Sequence, residues 1–440
     1  MVCSVALAAC GDNVGVSTTS GARLKLSWVE YDDGTRQVRP DDFYDAEREE
    51  TCGETLWIDG KPYCTPEAAS AYMLYETDQC TTGAYYAESD EPVAYLALYN
   101  WDEVTRRMET LTRAVRVTVP RFYQRDGERC IGPFDGSART IYGQGEAVSR
   151  SDLVELSSVQ RVTTSEIGIR ALASDDGMYL PVGFVDAAVR AECSPSALSP
   201  ESSACRVDSP GRFYYGDETC SDAVLGLYDD QVTPVAVTGG REHCAPLTYV
   251  VGGAEATPPQ FAESDDICSP AIPEETRFFS LTPRPVATID RRRVPAGGRL
   301  EKIVHSVGAH TVDTWSAFDL ELGEECSSGS RDGRVYRCFP DNVGYVVRAF
   351  SDAACFTSID VGLVEDPPLR ECRFSTLPRY AIDFGGASFV HRLGPPRTAP
   401  VYELVPTGCR SAPTEFVTYH DLGEAVPEDT FARGTVVRDP

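Results

Sequence analysis

Residues 52–80 read CGETLWIDGKPYCTPEAASAYMLYETDQC, in which three cysteines enclose short runs of strand-forming residues. These cysteines are separated by 12 and then 16 residues, and the pattern occurs twice more, with separations of 12 and 15 and of 12 and 17. The three triplets are Cys52, Cys64 and Cys80; Cys193, Cys205 and Cys220; and Cys326, Cys338 and Cys355. A cysteine spacing that recurs three times predicts an internal repeat.

Other residues follow the same register. A later cysteine recurs at Cys130, Cys268 and Cys409, and the second and third copies contain one more, at Cys244 and Cys372. The period is about 135 residues, and a Pro-Ala-Gly-Gly sequence at 295–298 is typical of a linker. The pattern therefore predicts three tandem repeats over residues 22–160, 161–297 and 298–440.

Aspartates also recur in each copy. One lies seven residues before the first cysteine of each triplet and another lies two or three residues before the last, at Asp45, Asp186 and Asp319 and at Asp78, Asp217 and Asp352. They could be calcium ligands or carboxylates that line a channel. The favoured interpretation is that they cap turns by accepting hydrogen bonds from nearby backbone amides, because turn geometry recurs in every repeat and function seldom does.

The local patterns predict an all-β fold. Runs such as RLKLSWVEY at 23–31 and GYVVRAF at 344–350 are rich in Val, Tyr and other strand formers, and Asp-Gly and Gly-Gly pairs separate many such runs. Each repeat divides into two halves, each about the size of a four-stranded blade. This favours a six-bladed β-propeller with two blades per repeat, which would leave few exposed sheet edges. Three β-sandwich domains in a row are the alternative.

Sixteen cysteines without any CxxC pair indicate disulfides rather than zinc ribbons or iron–sulfur clusters. A separation of 12 residues suits a bridge between adjacent strands. This predicts the pairs Cys52–Cys64, Cys193–Cys205 and Cys326–Cys338, followed by Cys244–Cys268 and Cys372–Cys409.

Residues 1–10 read MVCSVALAAC, and Leu7 to Cys10 are similar to a bacterial lipobox. We expect residues 1–9 to be a truncated signal, Cys10 to be lipidated, and residues 10–21 to form a flexible tether. Cleavage before Cys10 would remove Cys3 and leave an even number of cysteines for disulfides. The alternative is an incidental N-terminal cysteine.

The formal charge of −28 disfavours nucleic acid as a partner, because such a field repels phosphate. The five histidines form no HExxH motif, and no GxSxG elbow, Walker loop or dinucleotide fingerprint occurs. The sequence therefore predicts no catalytic residue, no metal site and no cofactor, with calcium as the remaining alternative.

The chain resembles the uncharacterised cysteine-rich lipoproteins of myxobacteria. The resemblance rests on LAAC at 7–10, the Phe-x-Asp-x₆-Cys segments at 43–52 and 184–193, the Tyr-x-x-Asp-x-Cys segment at 75–80 and LGEAVP at 422–427. It implies export and a cysteine-linked architecture, and it transfers no catalytic residue.

These observations predict a lipoprotein at the outer membrane or cell surface of a Gram-negative bacterium. We expect a non-catalytic binding or scaffold module for protein or glycan, attached to the membrane through its N-terminal lipid. The alternative is an extracellular hydrolase with a carboxylate-lined channel in a propeller-like fold.

Overall fold

The computed structural model describes most of residues 18–440. Its gaps are 82, 90, 102–105, 128, 138, 165, 189, 200, 208–211, 222, 228–234, 239–247, 258, 260, 265–266, 272–276, 286, 309, 331–334, 366–377, 384–389, 406–407, 413 and 415–416. The described regular structure consists of strands and short 3₁₀ turns, so the predicted all-β class is confirmed.

The strands form three consecutive sets with a similar order. The first set is β1 (Leu24–Tyr31), β2 (Arg36–Asp45), β3 (Glu50–Leu56), β4 (Pro62–Pro66), β5 (Ala69–Ser70), β6 (Tyr72–Tyr75), β7 (Gly83–Glu88), β8 (Tyr95–Trp101), β9 (Arg106–Val117), β10 (Arg121–Asp126), β11 (Arg129–Asp135), β12 (Ile141–Ala147) and β13 (Val154–Val162). The second is β14 (Ile167–Ser174), β15 (Tyr179–Asp186), β16 (Ala191–Ser199), β17 (Ser202–Val207), β18 (Arg212–Tyr215), β19 (Ala223–Leu227), β20 (Val235–Thr238), β21 (Thr248–Glu255), β22 (Phe261–Ser264), β23 (Ile267–Pro270), β24 (Arg277–Pro285) and β25 (Thr288–Pro295). The third is β26 (Leu300–Val307), β27 (His310–Asp319), β28 (Glu324–Ser330), β29 (Val335–Pro340), β30 (Val343–Phe350), β31 (Ser358–Glu365), β32 (Tyr380–Ile382), β33 (Val390–Pro396), β34 (Tyr402–Val405), β35 (Gly408–Ser411), β36 (Val417–Ala425) and β37 (Arg433–Arg438).

The first four strands and the last strand of every set join one closed barrel. The strands between them form a separate outer sheet in each set, namely β5–β12, β18–β24 and β30–β36. The six-bladed propeller is therefore wrong, and so is the row of three sandwiches. Within each set, one group of strands pairs with strands of the other sets in the barrel, and the other group pairs within its own outer sheet.

Three hydrophobic cores lie within the barrel, and each contains one disulfide of the 12-residue type: Cys52–Cys64, Cys193–Cys205 or Cys326–Cys338. The first strand of each set links two of these cores. On β1, Leu24 and Leu26 pack in the core of Cys52, whereas Val29 and Tyr31 pack in the core of Cys326.

A β-bulge explains this change of face. The β1–β2 pairing passes from Leu26↔Phe43 directly to Ser27↔Arg39, so three residues of β2 have no partner on β1. Side chains alternate along a strand, and an irregularity changes which of them face inward. The buried positions of β1 are accordingly 24 and 26 before the irregularity and 27, 29 and 31 after it.

The disulfides confirm three predicted pairs and correct two others. Cys52–Cys64, Cys193–Cys205 and Cys326–Cys338 each join adjacent strands across a Cα–Cα distance of 5.2 Å. Cys268 bonds to Cys220 rather than Cys244, Cys409 bonds to Cys355 rather than Cys372, and Cys80 bonds to Cys130. Cys244 and Cys372 lie outside the described residues.

The corrected pairs share one geometry, which explains the errors. Cys80, Cys220 and Cys355 each occupy a left-handed turn with φ near +50°. The partner cysteine lies on the second strand of a hairpin that packs against this turn, as Cys130 does on β11. These bridges span 48 to 54 residues, so sequence proximity does not indicate them.

Candidate functional site

A cavity of about 550 Å³ opens where β2 and β3 separate. These strands pair only from Phe43↔Cys52 to Asp45↔Glu50. Beyond that point the three extra residues at 40–42 bulge out of β2, and β3 continues with β4 as its partner. The resulting β2–β3 cleft is lined by residues of five barrel strands and of the first outer sheet, including Asp41, Asp42, Thr55, Tyr99 and Arg438.

The walls of the cleft are polar and carry charges of both signs. Arg39 forms an ion pair with Asp42 and lies 5.0 Å from the centroid of the Tyr336 ring. The Arg438 guanidinium lies 4.0 Å from the centroid of the Tyr44 ring. Polar walls with charged and hydroxyl groups suit a hydrophilic ligand better than an apolar one.

Asp42 has a perturbed environment. Burial raises the pKa of its carboxyl group, and the neighbouring Asp41 adds to the rise, while Arg39 and Arg438 oppose it. Two adjacent carboxyl groups thus differ in environment, because Asp41 is exposed and Asp42 is half-buried. Such a difference is one feature of acid–base sites, although structural ion pairs show it too.

Gly53 lies at the base of the cleft, where it permits a close approach between the backbones of β2 and β3. A Cβ atom at this position would lie 2.9 Å from the Asp41 carbonyl oxygen, closer than real Cβ contacts allow. A second cavity of about 300 Å³ lies beside the same contact and is lined by Pro40, Asp41 and Arg170. The bulge therefore has a concave surface on either side.

The irregularity beside the cleft recurs in the other sets with different lengths. The β14–β15 pairing leaves one residue of β15, Val182, without a partner, where β2 has three. The β26–β27 pairing leaves residues 314–316 of β27 opposite residue 303 of β26, so a long bulge occurs in both the first and the third set.

The acids before each first cysteine are turn caps, and they lie in three separate places. Asp45, Asp186 and Asp319 are at most 1% exposed, and each accepts a hydrogen bond of 2.9 to 3.0 Å from the amide two residues further on. Arg23 and Arg299 form ion pairs with Asp45 and Asp319 at 2.6 and 2.7 Å. The geometry supports the capping role that the sequence favours.

For the second series of aspartates, the sequence pattern predicts the wrong residue in the first set. Asp217 and Asp352 accept backbone amide hydrogen bonds within the turn that holds the left-handed cysteine. In the first set the equivalent position is Thr77 rather than Asp78, because the Cys80 amide donates to the Thr77 carbonyl at 3.0 Å. A threonine hydroxyl can accept in such a turn as a carboxylate does, and its Oγ1 lies 3.4 Å from the Thr81 amide.

The sequence did not indicate a second family of capping aspartates at the junctions between sets. Asp176 Oδ2 accepts hydrogen bonds from the amides of Arg23 and Leu24 at 2.6 and 2.7 Å. Asp33 Oδ2 does the same for Arg299 and Leu300 at 2.9 and 2.7 Å. Burial raises the pKa of both aspartates, but these hydrogen bonds outweigh it and the pKa of each is lowered.

At the third junction the capping acceptor is a threonine hydroxyl instead of an aspartate carboxylate. Thr164 Oγ1 accepts from the amides of Glu166 and Ile167 at 3.3 and 3.0 Å. Gly21 and Gly297 hold the positions equivalent to Thr164, and a Cβ there would collide with Asp176 or Asp33. The recurring Gly-x-Arg-Leu sequences at 21–24 and 297–300 are the signal that could have revealed the capped junctions.

One buried Ser–His pair occurs outside the cleft. Ser203 Oγ lies 3.0 Å from His305 Nε2, and both residues are at most 6% exposed. Burial, helped by the charge of Arg291, lowers the pKa of His305 to about 4. A serine with no exposed surface cannot attack a substrate from solvent, so this pair is part of the core.

Two searches of the described residues concern metals and membranes. No group of three or more His, Cys, Asp or Glu side chains is arranged to hold a metal ion in that part of the chain. None of the described helical segments is long and apolar enough to cross a membrane.

Fold and site together define a disulfide-linked all-β protein with a polar cleft at the edge of a closed barrel. The chain belongs to DUF7481, a family of unknown function whose model matches residues 3–431. No curated protein and no solved structure matches the chain.

Proposed function

We propose that this protein is an exported, lipid-anchored, non-catalytic module of the cell envelope that binds a polar ligand, protein or glycan, in the β2–β3 cleft. The observation that carries the proposal is the cleft itself. It has a volume of about 550 Å³, it is polar, and the three-residue bulge of β2 forms one of its walls.

The six disulfides of the described residues are consistent with a location outside the cytoplasm, because reducing conditions inside the cytoplasm keep thiols free. The anchor rests on the LAAC sequence at 7–10, which lies outside the described residues. With such an anchor, the location that we propose is the outer membrane or surface of a Gram-negative cell.

The anchor is tested by the variant Cys10→Ala. Removing the acylated cysteine should leave the protein soluble in the periplasm, since a lipidated cysteine is the attachment to the membrane. Fractionation of cells that express the variant or the wild type measures this. Unchanged membrane association of the variant would reject the anchor.

The cleft is tested by a photo-crosslinking amino acid placed at Thr55, inside the cleft, in the native host. A matched control carries it at Arg348, an exposed position on the third outer sheet. We expect an adduct with glycan or protein from position 55 that is absent from position 348. Digestion with a muramidase or a protease then identifies the class of ligand, and the absence of any cleft-specific adduct contradicts the proposal.

A second candidate, an extracellular hydrolase, is favoured by one observation. Asp41 and Asp42 are adjacent carboxyl groups in the cleft, and burial raises the pKa of Asp42. The ion pair of Asp42 with Arg39 opposes proton donation, so binding ranks first. Release of soluble fragments from purified sacculi or envelope protein by the wild type, but not by Asp42→Asn, would establish hydrolysis instead.

A further inference from the structure

A small enclosed cavity lies at the seam where the first set of barrel strands meets the third. Its volume is about 40 Å³, and its walls include Val29, Gln37 and Val38 from β1 and β2 and Trp315 and Ser328 from β27 and β28. The two sides of the cavity therefore belong to segments almost 300 residues apart in the sequence.

Gln37 is the polar centre of this cavity. Its side chain is 1% exposed, and its Oε1 atom accepts a hydrogen bond of 3.1 Å from the Tyr31 hydroxyl. The Nε2 atom is buried and has no hydrogen-bond partner within the described part of the chain. A buried amide nitrogen carries two N–H donors, and native proteins rarely leave such donors unpaired.

A second unpaired polar atom lines the same cavity from the other side of the seam. Ser328 Oγ is buried and, like Gln37 Nε2, has no hydrogen-bond partner among the described residues. A hydroxyl oxygen can accept a hydrogen bond as well as donate one. The cavity therefore lies between an unpaired donor on β2 and an unpaired hydroxyl on β28.

We infer that the cavity is a binding site for an ordered internal water molecule that accepts from Gln37 Nε2 and donates to Ser328 Oγ. A water molecule needs about 10–15 Å³ of such space and two to four polar partners, and both conditions are met here. The water bridges Gln37 of the first set and Ser328 of the third, and the hydrogen bond from Tyr31 to Gln37 extends this connection to β1. Linked hydrogen bonds of this kind polarise one another, so they tie the third set to the first.

The chemistry of the walls selects water over other small occupants. A cation would face the N–H groups of Gln37 and the guanidinium of Arg39, which also lines the cavity, and no carboxylate lines it. Apolar gases such as xenon occupy dry apolar cavities, whereas this one has a buried amide in its wall. The donor groups in the walls would also suit a halide ion, and crystals grown in bromide distinguish a halide from water.

The test is a high-resolution crystal structure of the full chain, together with crystals grown in bromide or pressurised with xenon. We expect one electron-density peak at hydrogen-bond distance from both Gln37 Nε2 and Ser328 Oγ, without anomalous signal from bromide and without xenon. An empty cavity, a bromide peak or a xenon peak in that position would each overturn the inference.

A solution measurement supports the crystal experiment. Magnetic relaxation dispersion of water counts the long-lived internal waters, and Ser328→Ala should reduce the count by one because the acceptor is lost. Thr435→Ala, at an exposed position of β37, is the control and should leave the count unchanged. If folded Ser328→Ala protein keeps the wild-type count, no water bridges Gln37 and Ser328, and the inference is overturned.

Discussion

His305 makes the barrel sensitive to acid, and its titration can be isolated by substitution. The imidazole is 6% exposed, bonds to Ser203 through Nε2, and lies edge-on to the Phe184 ring with 6.5 Å between the ring centroids. Arg291 is the charged group whose field acts on it, and the Arg291 guanidinium is itself paired with Glu325. A proton on His305 would therefore be buried beside a positive charge.

The sign and size of the effect follow from the pKa of His305 in the two states. Burial lowers the pKa from 6.5 to about 4 in the folded protein. As pH falls below 6.5 the unfolded chain binds a proton that the folded chain refuses, so the free energy of unfolding decreases until the folded pKa is reached. The loss from this one group is about 2 kcal/mol between pH 7 and pH 5, and about 3 kcal/mol in total.

The perturbation is His305→Gln, whose amide can still bond to Ser203 but cannot titrate. Chemical denaturation at pH 7 and pH 5 with the disulfides intact measures the free energy of unfolding of each protein. We expect the wild type to lose about 2 kcal/mol more than the variant over this interval. Both proteins share the other titrating groups, so these cancel in the comparison.

Ser203→Ala is the matched control. It removes the hydrogen bond but leaves the imidazole buried, so it should lower stability at both pH values and retain most of the pH dependence. Equal pH dependence in the wild type and His305→Gln would refute the reasoning, because a buried neutral imidazole cannot be silent in this range.

Two further predictions concern the junctions and the disulfides. Asp176→Ala leaves two backbone amides at the start of a strand without an acceptor, so it should lower the free energy of unfolding by about 2 kcal/mol. Asp175→Ala in the same turn is the control and should change the free energy of unfolding by less than about 0.5 kcal/mol. Equal effects of the two variants in denaturant titrations would show that the cap is not the cause. Replacing Cys193 and Cys205 together by alanine opens a 12-residue loop and should lower stability by ~3 kcal/mol in the same assay, and a change below about 1 kcal/mol would contradict the role of this bridge in its core.

Local sequence patterns predicted much of the fold. The all-β class follows from residue type and turn pairs, which act within a few residues. The three 12-residue disulfides were predictable for the same reason, because two strands joined by a short turn bring such cysteines together. The capping role of Asp45 and Asp319 is local too, since each carboxylate bonds to amides two and three residues away.

The candidate site was much less accessible to sequence reasoning. Asp41 and Asp42 are two of 68 acidic residues, and nothing in their neighbours distinguishes them. Their position became informative only when the β1–β2 register showed that residues 40–42 leave the ladder. The pairing register depends on the neighbouring strand, so the sequence of β2 alone does not reveal it.

Residue spacing and alternation thus predicted a strand-rich, disulfide-linked chain, because those properties arise from interactions between near neighbours. Only the tertiary structure decided that the first half of each segment enters a common barrel, that Cys220 bonds to Cys268, and that a cleft opens beside Gly53. Each of these depends on contacts between residues far apart in the chain. Such contacts are chosen by competition among many possible strand pairings, and no single segment specifies the outcome.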